Sequence, residues 1–256
     1  MVRSGEIEQH RRDEFREKGF VVVRGFFDAD ELAALRRLLL QRFDVLRRAD
    51  QRKLKRYTRE DNAWLSDELI RRVLLSEKVG FTAAGLLGCN AVRLYHTASL
   101  FKEPGDGEVP WHQDQFVSPI DSPAVGCWLA LTDVRREMGS VVFAQGSHKL
   151  GLLPEFESAE RAEEMLVASG CSIRAPELNA GDAIFHSSMG WHMSSANSTS
   201  LVREAVGMFF FPDGARVLPS LTARQRTEWR LFFPGTLPGE FASSVLNPLV
   251  YEAGDS

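Results

Sequence analysis

The chain of 256 residues has a formal net charge of −4 and 44% hydrophobic residues, so it can form one domain with a sizeable core and is too acidic for a typical nucleic-acid-binding protein. Its three cysteines are widely spaced, which argues against a disulfide framework or a structural zinc site and favours a cytoplasmic location. No apolar run reaches the roughly 18 residues of a transmembrane helix and no secretion signal is expected, so we expect no membrane partner.

The N-terminal part, residues 1–88, is predicted to be mainly helical. A charged helix over residues 6–18 is expected to end at Gly19, because glycine is a common residue just beyond a helix. The following β-branched run, residues 20–24, is typical of a strand. A later helix is predicted over about residues 66–88.

The main helix of this part is predicted to begin after Asp28, with Glu31 as capping-box partner. One apolar stripe at helical spacing comprises Leu32, Leu35, Leu39, Phe43 and Leu46. The basic stretch that follows, residues 47–59, has two interpretations: an anion or phosphate site, or a solvated helix end and loop. We favour the second, because four acidic residues are near enough to neutralise it: Asp44, Asp50, Glu60 and Asp61.

From residue 90 onward, short apolar or alternating segments are separated by Gly, Pro, Asp and Ser. The predicted strands cover residues 91–101, 109–116, 125–134, 140–144, 171–177, 182–187, 190–194 and 202–211. About eight strands is the number found in a jelly roll. We therefore predict a mostly β fold with flanking helices, a double-stranded β-helix (cupin-like), as one domain over residues 1–256. Its core would span about residues 90–215, followed by a C-terminal extension, residues 216–256.

A Trp-His-Gln-Asp-Gln run places His112 and Asp114 two residues apart in a predicted strand, so their side chains should point to the same side. His192, 192 − 114 = 78 residues beyond Asp114, could complete a face of two imidazoles and one carboxylate. With open positions, that is the ligand set of non-haem Fe(II) oxygenases. Arg203, 203 − 192 = 11 residues further on, would offer a cationic fork to a carboxylate-bearing cosubstrate.

The other histidines compete for these roles. His186 precedes His192 by six residues, and we interpret it as a buried histidine near the metal, because the Ser-x-x-Asn run and the arginine spacing both depend on His192. His148 is placed at the pocket rim or in a turn. His96 shares a strand face with Ala98 and Leu100, where it either faces the substrate or is a satisfied core histidine. The last, His10, lies in an exposed, charged stretch.

Several segments resemble the phytanoyl-CoA dioxygenase family of Fe(II)/2-oxoglutarate-dependent oxygenases, over most of the chain. The specific ones are Trp-His-Gln-Asp at 111–114 and His-x-Ser-x-x-Asn at 192–197. The resemblance also includes the stretches at residues 20–27, 102–105, 128–131, 139–142, 146–149 and 181–186. The family usually has glycine after the second histidine, whereas this chain has Met193, a change that is expected to leave the ligand role intact and to reshape the pocket floor.

This resemblance implies the same double-stranded β-helix and an Fe(II) ion held by His112, Asp114 and His192. It implies 2-oxoglutarate as cosubstrate, bound to the iron by its keto-acid end, and O2 as oxidant. The cosubstrate's far carboxylate would meet Arg203, with Ser194 adding a hydroxyl and Trp128 forming a wall.

In related halogenating enzymes a Gly or Ala stands where this chain has Asp114, so we expect oxygenation and no halogenation. The predicted substrate is a small molecule, with a secondary metabolite as our hypothesis; the outcome could be hydroxylation, epimerisation, desaturation or cyclisation. Three alternatives stay open: an acyl-CoA hydroxylase of the same family, a non-catalytic jelly-roll binding module, and a cupin-like metal-dependent isomerase or hydrolase. A monomer or homodimer is expected.

Overall fold

The structure, a computed structural model, describes residues 9–49, 56–154 and 158–254. Its helices are α1 (Gln9–Lys18), α2 (Ala29–Ala49), α3 (Glu68–Leu74), α4 (Glu77–Leu87), α5 (Ala159–Ala168) and α6 (Ala223–Phe232). Its strands are β1 (Phe20–Val23), β2 (Thr58–Asp61), β3 (Ala91–Lys102), β4 (Val109–His112), β5 (Val125–Ala130), β6 (Val141–Gln145), β7 (Ser172–Arg174), β8 (Ala183–Ser187), β9 (His192–Ser194), β10 (Arg203–Pro212) and β11 (Leu249–Glu252). None of the helices in these ranges is long and apolar enough to cross a membrane.

The described strands form two antiparallel sheets. The larger has the order β1-β8-β5-β10-β3-β11, with β2 also paired to β3, and the smaller has the order β4-β9-β6-β7. The eight strands predicted from residue 90 onward are all present, as β3 to β10. The predicted fold class, a double-stranded β-helix with flanking helices, is therefore confirmed.

An apolar layer joins the two sheets and another joins the larger sheet to the helices. Between the sheets, the rings of Phe20 and Phe143 stack with centroids 4.5 Å apart, beside Trp128. Along β5, side chains alternate: Cys127 belongs to the core under the helices, whereas Trp128 faces the other sheet. This alternation, inherent to a strand, gives the larger sheet one face for the helices and one for the interior.

Helix α2 covers the outer face of the larger sheet with the predicted apolar stripe. Leu32, Leu35, Leu39 and Phe43 are buried, and the Phe43 ring stacks on Phe101 of β3 at 4.6 Å. The Asp28 half of the predicted capping box is present, since Asp28 Oδ1 accepts a hydrogen bond from the Glu31 amide at 2.9 Å, while Glu31 Oε2 accepts one from Lys78 Nζ at 2.7 Å. Burial of four large side chains stabilises this packing by roughly 6–10 kcal/mol before entropic costs.

The helical stretch predicted over about residues 66–88 is present, and it is divided into two shorter helices. The Asp67 side chain accepts hydrogen bonds from the amides of Leu69 and Ile70 and so begins α3. This helix ends at Leu74 with Leu75 as its C-cap, and Ser76, in an extended conformation, is the N-cap of α4. Two N-cap residues inside one apolar pattern therefore divide it. Strands β2 and β11, which pair with β3, were also not predicted.

A bulge in β3 decides which of its side chains face the interior. Phe209 of β10 pairs with His96, but the next residue, Phe210, pairs with Leu94. The extra residue, Tyr95, reverses the alternation of side chains along the strand. Leu94 therefore packs under the helices, whereas an interior cavity is lined by His96, Ala98 and Leu100.

Asp182, at the start of β8, ties the N-terminal strand to the sheet. Its buried carboxylate accepts hydrogen bonds from Arg24 Nη1 (2.7 Å), the Gly25 amide (2.8 Å) and the Asn179 amide (2.8 Å). Burial alone would raise the pKa of Asp182, but the Arg24 guanidinium and the two amides outweigh it and hold the pKa below its ordinary value.

We expect Asp182→Ala to lower the free energy of unfolding by about 1–2 kcal/mol at pH 7, because the Arg24 guanidinium and the amides of Gly25 and Asn179 lose the buried carboxylate that accepts their hydrogen bonds. Since the folded-state pKa is depressed, the contribution is present above the unfolded pKa and is lost as pH falls through the folded one. Urea unfolding at pH 7 and pH 3 tests this: the difference between Asp182→Ala and the natural chain should shrink at pH 3. A difference below about 0.5 kcal/mol at pH 7 would contradict it.

Candidate functional site

The three predicted metal ligands lie together. His112 and His192 are direct partners in the β4–β9 pair. Asp114 Oδ1 is 3.6 Å from His112 Nε2, and Asp114 Oδ2 is 3.8 Å from His192 Nε2. One ligand atom from each residue falls within 4.8 Å of the other two, so a single ion could reach all three with bonds of about 2.0–2.5 Å.

The prediction that Asp114 lies on the same strand as His112 is wrong. Strand β4 ends at His112, and Asp114 opens a 3-10 turn, Asp114–Phe116. Between them, the buried Gln113 side chain donates to the carbonyls of Gly151 (2.9 Å) and Met189 (2.6 Å). With Gln113 bonded to these distant acceptors, the backbone leaves the sheet after His112. The Asp114 carboxylate nevertheless lies beside the two imidazoles.

The two imidazoles are held in the form that binds a metal. His112 Nδ1 donates to the Pro110 carbonyl at 2.8 Å, and His192 Nδ1 donates to the Gly190 carbonyl at 3.1 Å. Because a carbonyl only accepts, Nδ1 carries the hydrogen in each ring and Nε2 presents its lone pair. Burial, with His192 nearby, lowers the pKa of His112 to about 4, so this ring is neutral near pH 7.

Asp114 itself indicates that a cation fits here. Its Oδ2 is buried and has no hydrogen-bond partner among the described residues. Burial alone would raise the pKa of Asp114, but the neighbouring imidazoles, led by His192, lower it, so the group is an ionised carboxylate. A buried anionic oxygen without a partner is costly, and a bound cation removes that cost.

His186 lies beside this cluster but outside the ligand set. Its ring centroid is 4.9 Å from that of His192, and its Nδ1 is 3.9 Å from Asp114 Oδ2. Gly126 is its cross-strand partner in β5, and a Cβ at that position would collide with the His186 ring. Strand β5 therefore fixes the position of the His186 imidazole, which agrees with its interpretation as a buried histidine near the metal.

Arg203 opens β10 next to the cluster. It is 2% exposed, its guanidinium carbon is 5.1 Å from the centre of the Trp128 ring, and its Nε has no hydrogen-bond partner in the described parts of the chain. Burial lowers the pKa of Arg203 to about 10, so it remains charged at pH 7. A buried cation with a free donor fits a carboxylate.

Ser194, the other predicted cosubstrate contact, lines the same cavity and has a partner that sequence reasoning missed. Its Oγ accepts a hydrogen bond from Lys102 Nζ at 2.9 Å and donates to the Gly139 carbonyl at 3.1 Å. Lys102 is fully buried, at 0% exposure. The sequence carries no local signal for this role, because only the pairing of β3 with β10 places Lys102 directly opposite Arg203.

The three predicted metal ligands, Arg203, Trp128 and Ser194 line a cavity of about 630 Å³ between the sheets, with Lys102 buried behind Ser194. Along the β3–β10 pair, Arg203 is opposite Lys102 at one end and Phe209 is opposite His96 at the other. Six residues separate the two ends, which corresponds to roughly 20 Å along a strand. The cavity thus has a cationic end that suits an anionic cosubstrate and a second end that contains His96 and Phe209.

At the second end, His96 is sandwiched between two phenylalanine rings. The centroid of Phe209 lies 4.6 Å and that of Phe232 lies 4.5 Å from the imidazole, both nearly parallel to it. Burial lowers the pKa of His96 to about 3, so the ring is neutral. It lines the cavity, and so do Arg224 and Glu228 of α6, which were not predicted. By contrast, His148 Nε2 is bonded to the Arg16 carbonyl, outside the cavity lining.

The two ends of the basic stretch at residues 47–59 differ: its beginning resembles the solvated helix end, whereas its last residues line the cavity. Arg47 is near Asp44 (3.8 Å) and Glu103 (3.6 Å), as expected for a solvated helix end. Three later residues line the cavity: Arg56, Tyr57 and Arg59. Arg48 is exposed at the end of α2, and Arg52, Lys53 and Lys55 lie outside the described residues.

Comparisons with known proteins give one family. The sequence profile of the phytanoyl-CoA dioxygenase (PhyH) family matches residues 15–205. A curated relative, dioxygenase hkm4 of Aspergillus hancockii, is 31% identical over 117 residues. That match covers 43% of this chain and 35% of the relative, so the chain spans about a third of that protein's length.

Solved structures give the same fold. SnoN, a non-heme alpha ketoglutarate dependent epimerase from nogalamycin biosynthesis, is 24% identical with a TM-score of 0.77, over 95% of this chain and 98% of that one. A second SnoN structure is in complex with Fe3+, alpha ketoglutarate and nogalamycin RO. SnoK, a carbocyclase from the same biosynthesis, is 23% identical with a TM-score of 0.77, over 95% and 96% of the two chains.

Proposed function

The chain belongs to the phytanoyl-CoA dioxygenase family of iron- and 2-oxoglutarate-dependent enzymes, and we propose from this premise that it oxidises a C–H bond of a small molecule, a secondary metabolite. One observation carries the residue assignment: the Asp114 carboxylate, whose buried Oδ2 has no hydrogen-bond partner among the described residues, lies within 4 Å of the Nε2 atoms of both His112 (3.6 Å) and His192 (3.8 Å). We assign His112, Asp114 and His192 as the iron ligands.

The roles of the chain's own groups follow from this assignment. Iron with 2-oxoglutarate and O2 supplies the oxidising power for C–H cleavage, while the protein supplies orientation and exclusion of water. Three ligands on one side of the ion leave positions for cosubstrate and oxygen. Arg203 binds the far carboxylate of 2-oxoglutarate, Trp128 covers it, and Ser194 adds a hydroxyl. A side chain that acts as nucleophile or general base is not required.

The substrate class is inferred from the second end of the cavity and from the relatives. A neutral imidazole between two phenylalanine rings favours a compact, partly apolar substrate with a hydrogen-bonding group. SnoN and SnoK act in nogalamycin biosynthesis as an epimerase and a carbocyclase, so epimerisation and ring closure join hydroxylation as candidate outcomes. Because Asp114 occupies a ligand position, we do not propose halogenation.

A second candidate, hydroxylation of an acyl-CoA, is favoured by one observation. Arg56 and Arg59 line the cavity, and guanidinium groups are suited to phosphate. Their placement would let a CoA phosphate bind near the cavity while an acyl chain reached the metal. A substrate panel that contains acyl-CoA thioesters and small polycyclic or amino-acid substrates separates the two candidates.

We expect the purified protein to bind Fe(II) and 2-oxoglutarate together. Anaerobic addition of both should give the weak visible charge-transfer band of the chelate, and neither alone should give it. After oxygen is admitted, succinate should form faster in the presence of a true substrate. No band and no succinate at millimolar cosubstrate would contradict the function and leave the binding-module alternative, whereas metal-dependent turnover without 2-oxoglutarate would favour the isomerase or hydrolase.

A further inference from the structure

The ammonium group of Lys102 is completely enclosed and has three acceptors around it. Lys102 Nζ donates to the Gly107 carbonyl (2.9 Å), to Ser194 Oγ (2.9 Å) and to the Ser195 carbonyl (2.5 Å). An ammonium has three donors and no acceptor, so the charged form satisfies this arrangement fully. A neutral amine would turn its lone pair toward an oxygen, which is repulsive.

The surroundings of Lys102 are built closely around its side chain. Gly139 has a φ of +80°, and a Cβ there would lie 2.6 Å from Lys102 Cδ and 2.7 Å from the Ser195 carbonyl. Asn197 Nδ2 donates to the Lys102 carbonyl at 2.9 Å. The lysine therefore joins the end of β9, the turn at Gly139 and the loop after β3.

No carboxylate is hydrogen-bonded to Lys102 or to Arg203 in the described parts of the chain, although the two buried cations are opposite each other. Two adjacent buried charges of the same sign are unfavourable unless an anion binds between or beside them. In the proposed function, the far carboxylate of 2-oxoglutarate is that anion.

We propose that Lys102 is a positioning residue of the cosubstrate site: it holds the Ser194 hydroxyl as a donor toward the far carboxylate of 2-oxoglutarate, and cosubstrate binding is therefore coupled to protonation of Lys102. This inference rests on the proposed function. Lys102 occupies one lone pair of Ser194 Oγ, so the hydroxyl hydrogen is directed elsewhere. The Ser194 hydroxyl now donates this hydrogen to the Gly139 carbonyl. Rotation of the hydroxyl would direct it to a bound carboxylate instead.

The charges around Lys102 place this coupling near neutral pH. Burial, followed by the positive charge of Arg203, lowers the pKa of Lys102 to about 7, and Asp106 and Glu108 of the neighbouring loop act in the opposite direction. A carboxylate on Arg203 removes part of that repulsion and so raises the pKa of Lys102. Affinity for 2-oxoglutarate is then highest below the pKa of the free protein and falls by up to about tenfold per pH unit above it.

The test is calorimetric titration of 2-oxoglutarate into the anaerobic Fe(II)-loaded protein, between pH 6.5 and 8.5, in two buffers of different ionisation enthalpy. The natural chain should take up a fraction of a proton on binding at pH 7.5, and its dissociation constant should rise roughly tenfold or more across the range. Lys102→Met, which keeps the length of the stem, should bind weakly with little pH dependence and no proton uptake. Lys149→Met, at an exposed lysine, is the matched control and should behave as the natural chain does.

Equal proton uptake and equal pH dependence in Lys102→Met and the natural chain would overturn the inference, as would the absence of any uptake by the natural chain. Proton uptake by the natural chain is measured without any variant, so the test can still be made if the Lys102→Met protein fails to fold. If the natural chain binds no 2-oxoglutarate at any pH, the proposed function itself is wrong and this inference falls with it.

Discussion

Replacing any one of the three assigned ligands, as His112→Ala, Asp114→Ala or His192→Ala, is expected to abolish turnover. Each change removes one of three donor atoms that meet within 4.8 Å. Loss of a direct ligand should cost more than the roughly 10–100-fold in metal affinity that loss of an outer hydrogen-bond partner costs. Fe(II) binding followed anaerobically, together with succinate formation, measures both effects.

Two other histidines provide the controls for this experiment. His10→Ala alters an exposed histidine of α1, and His148→Ala alters one that is bonded to the Arg16 carbonyl, outside the cavity lining. Both proteins should retain the Fe(II) affinity of the natural chain. Turnover at the natural rate by His192→Ala would remove that residue from the ligand set and bring His186, its neighbour in space, into consideration.

Arg203→Met should raise the 2-oxoglutarate concentration needed for half-maximal turnover by roughly 30–150-fold. A charge-assisted, bidentate contact to a desolvated carboxylate is worth about 2–3 kcal/mol, and methionine keeps much of the apolar stem against Trp128. The rate at saturating cosubstrate should change much less, because the arginine is assigned to binding and not to the metal.

Thermal unfolding gives a second measurement of the same variant. Without cosubstrate, Arg203 is a buried cation whose Nε has no hydrogen-bond partner among the residues that the structure describes, so its removal should cost less than about 1 kcal/mol or even stabilise the protein. The increase in Tm that 2-oxoglutarate gives the natural chain should be nearly lost in Arg203→Met. An unchanged cosubstrate requirement would show that another group binds the far carboxylate.

Sequence reasoning could predict the residues of the metal site better than the local structure that carries them. The spacing of His112 and Asp114 predicted proximity on a strand, yet the carboxylate lies on a 3-10 turn. The cause is Gln113, whose side chain bonds to backbone groups that are 38 and 76 residues away in sequence. Such tertiary contacts are not visible in local periodicity, whereas the chemistry of the residue types is.

The fold class was predictable because strand signals are local and numerous. Turn residues separate the alternating segments from residue 90 onward, and each predicted segment contains a strand. The division between α3 and α4 was missed because one apolar pattern spans both, although Asp67 and Ser76 are residues that commonly begin helices. Strands β2 and β11 were missed because each gains its stability from pairing with β3.

Lys102 shows what the sequence leaves hidden. A lysine that follows an apolar strand is most often exposed, and only the three-dimensional pairing with β10 places it opposite Arg203. The bulge at Tyr95 is equally necessary, because it sets which alternate residues of β3 face the interior. Neither feature has a local signature in the sequence. Arg203, Ser194 and Trp128 could therefore be predicted at the cosubstrate end of the cavity, but Lys102 could not.

The match to the family profile covers residues 15–205, and the two ends of the cavity differ in their relation to this range. The groups assigned to iron and cosubstrate lie within it, whereas part of the other end lies beyond it: Phe209, Arg224, Glu228 and Phe232. Helix α6 therefore contributes side chains to the cavity without contributing a metal ligand, so substitutions at Arg224 or Glu228 are expected to alter which substrate is accepted while Fe(II) affinity stays unchanged.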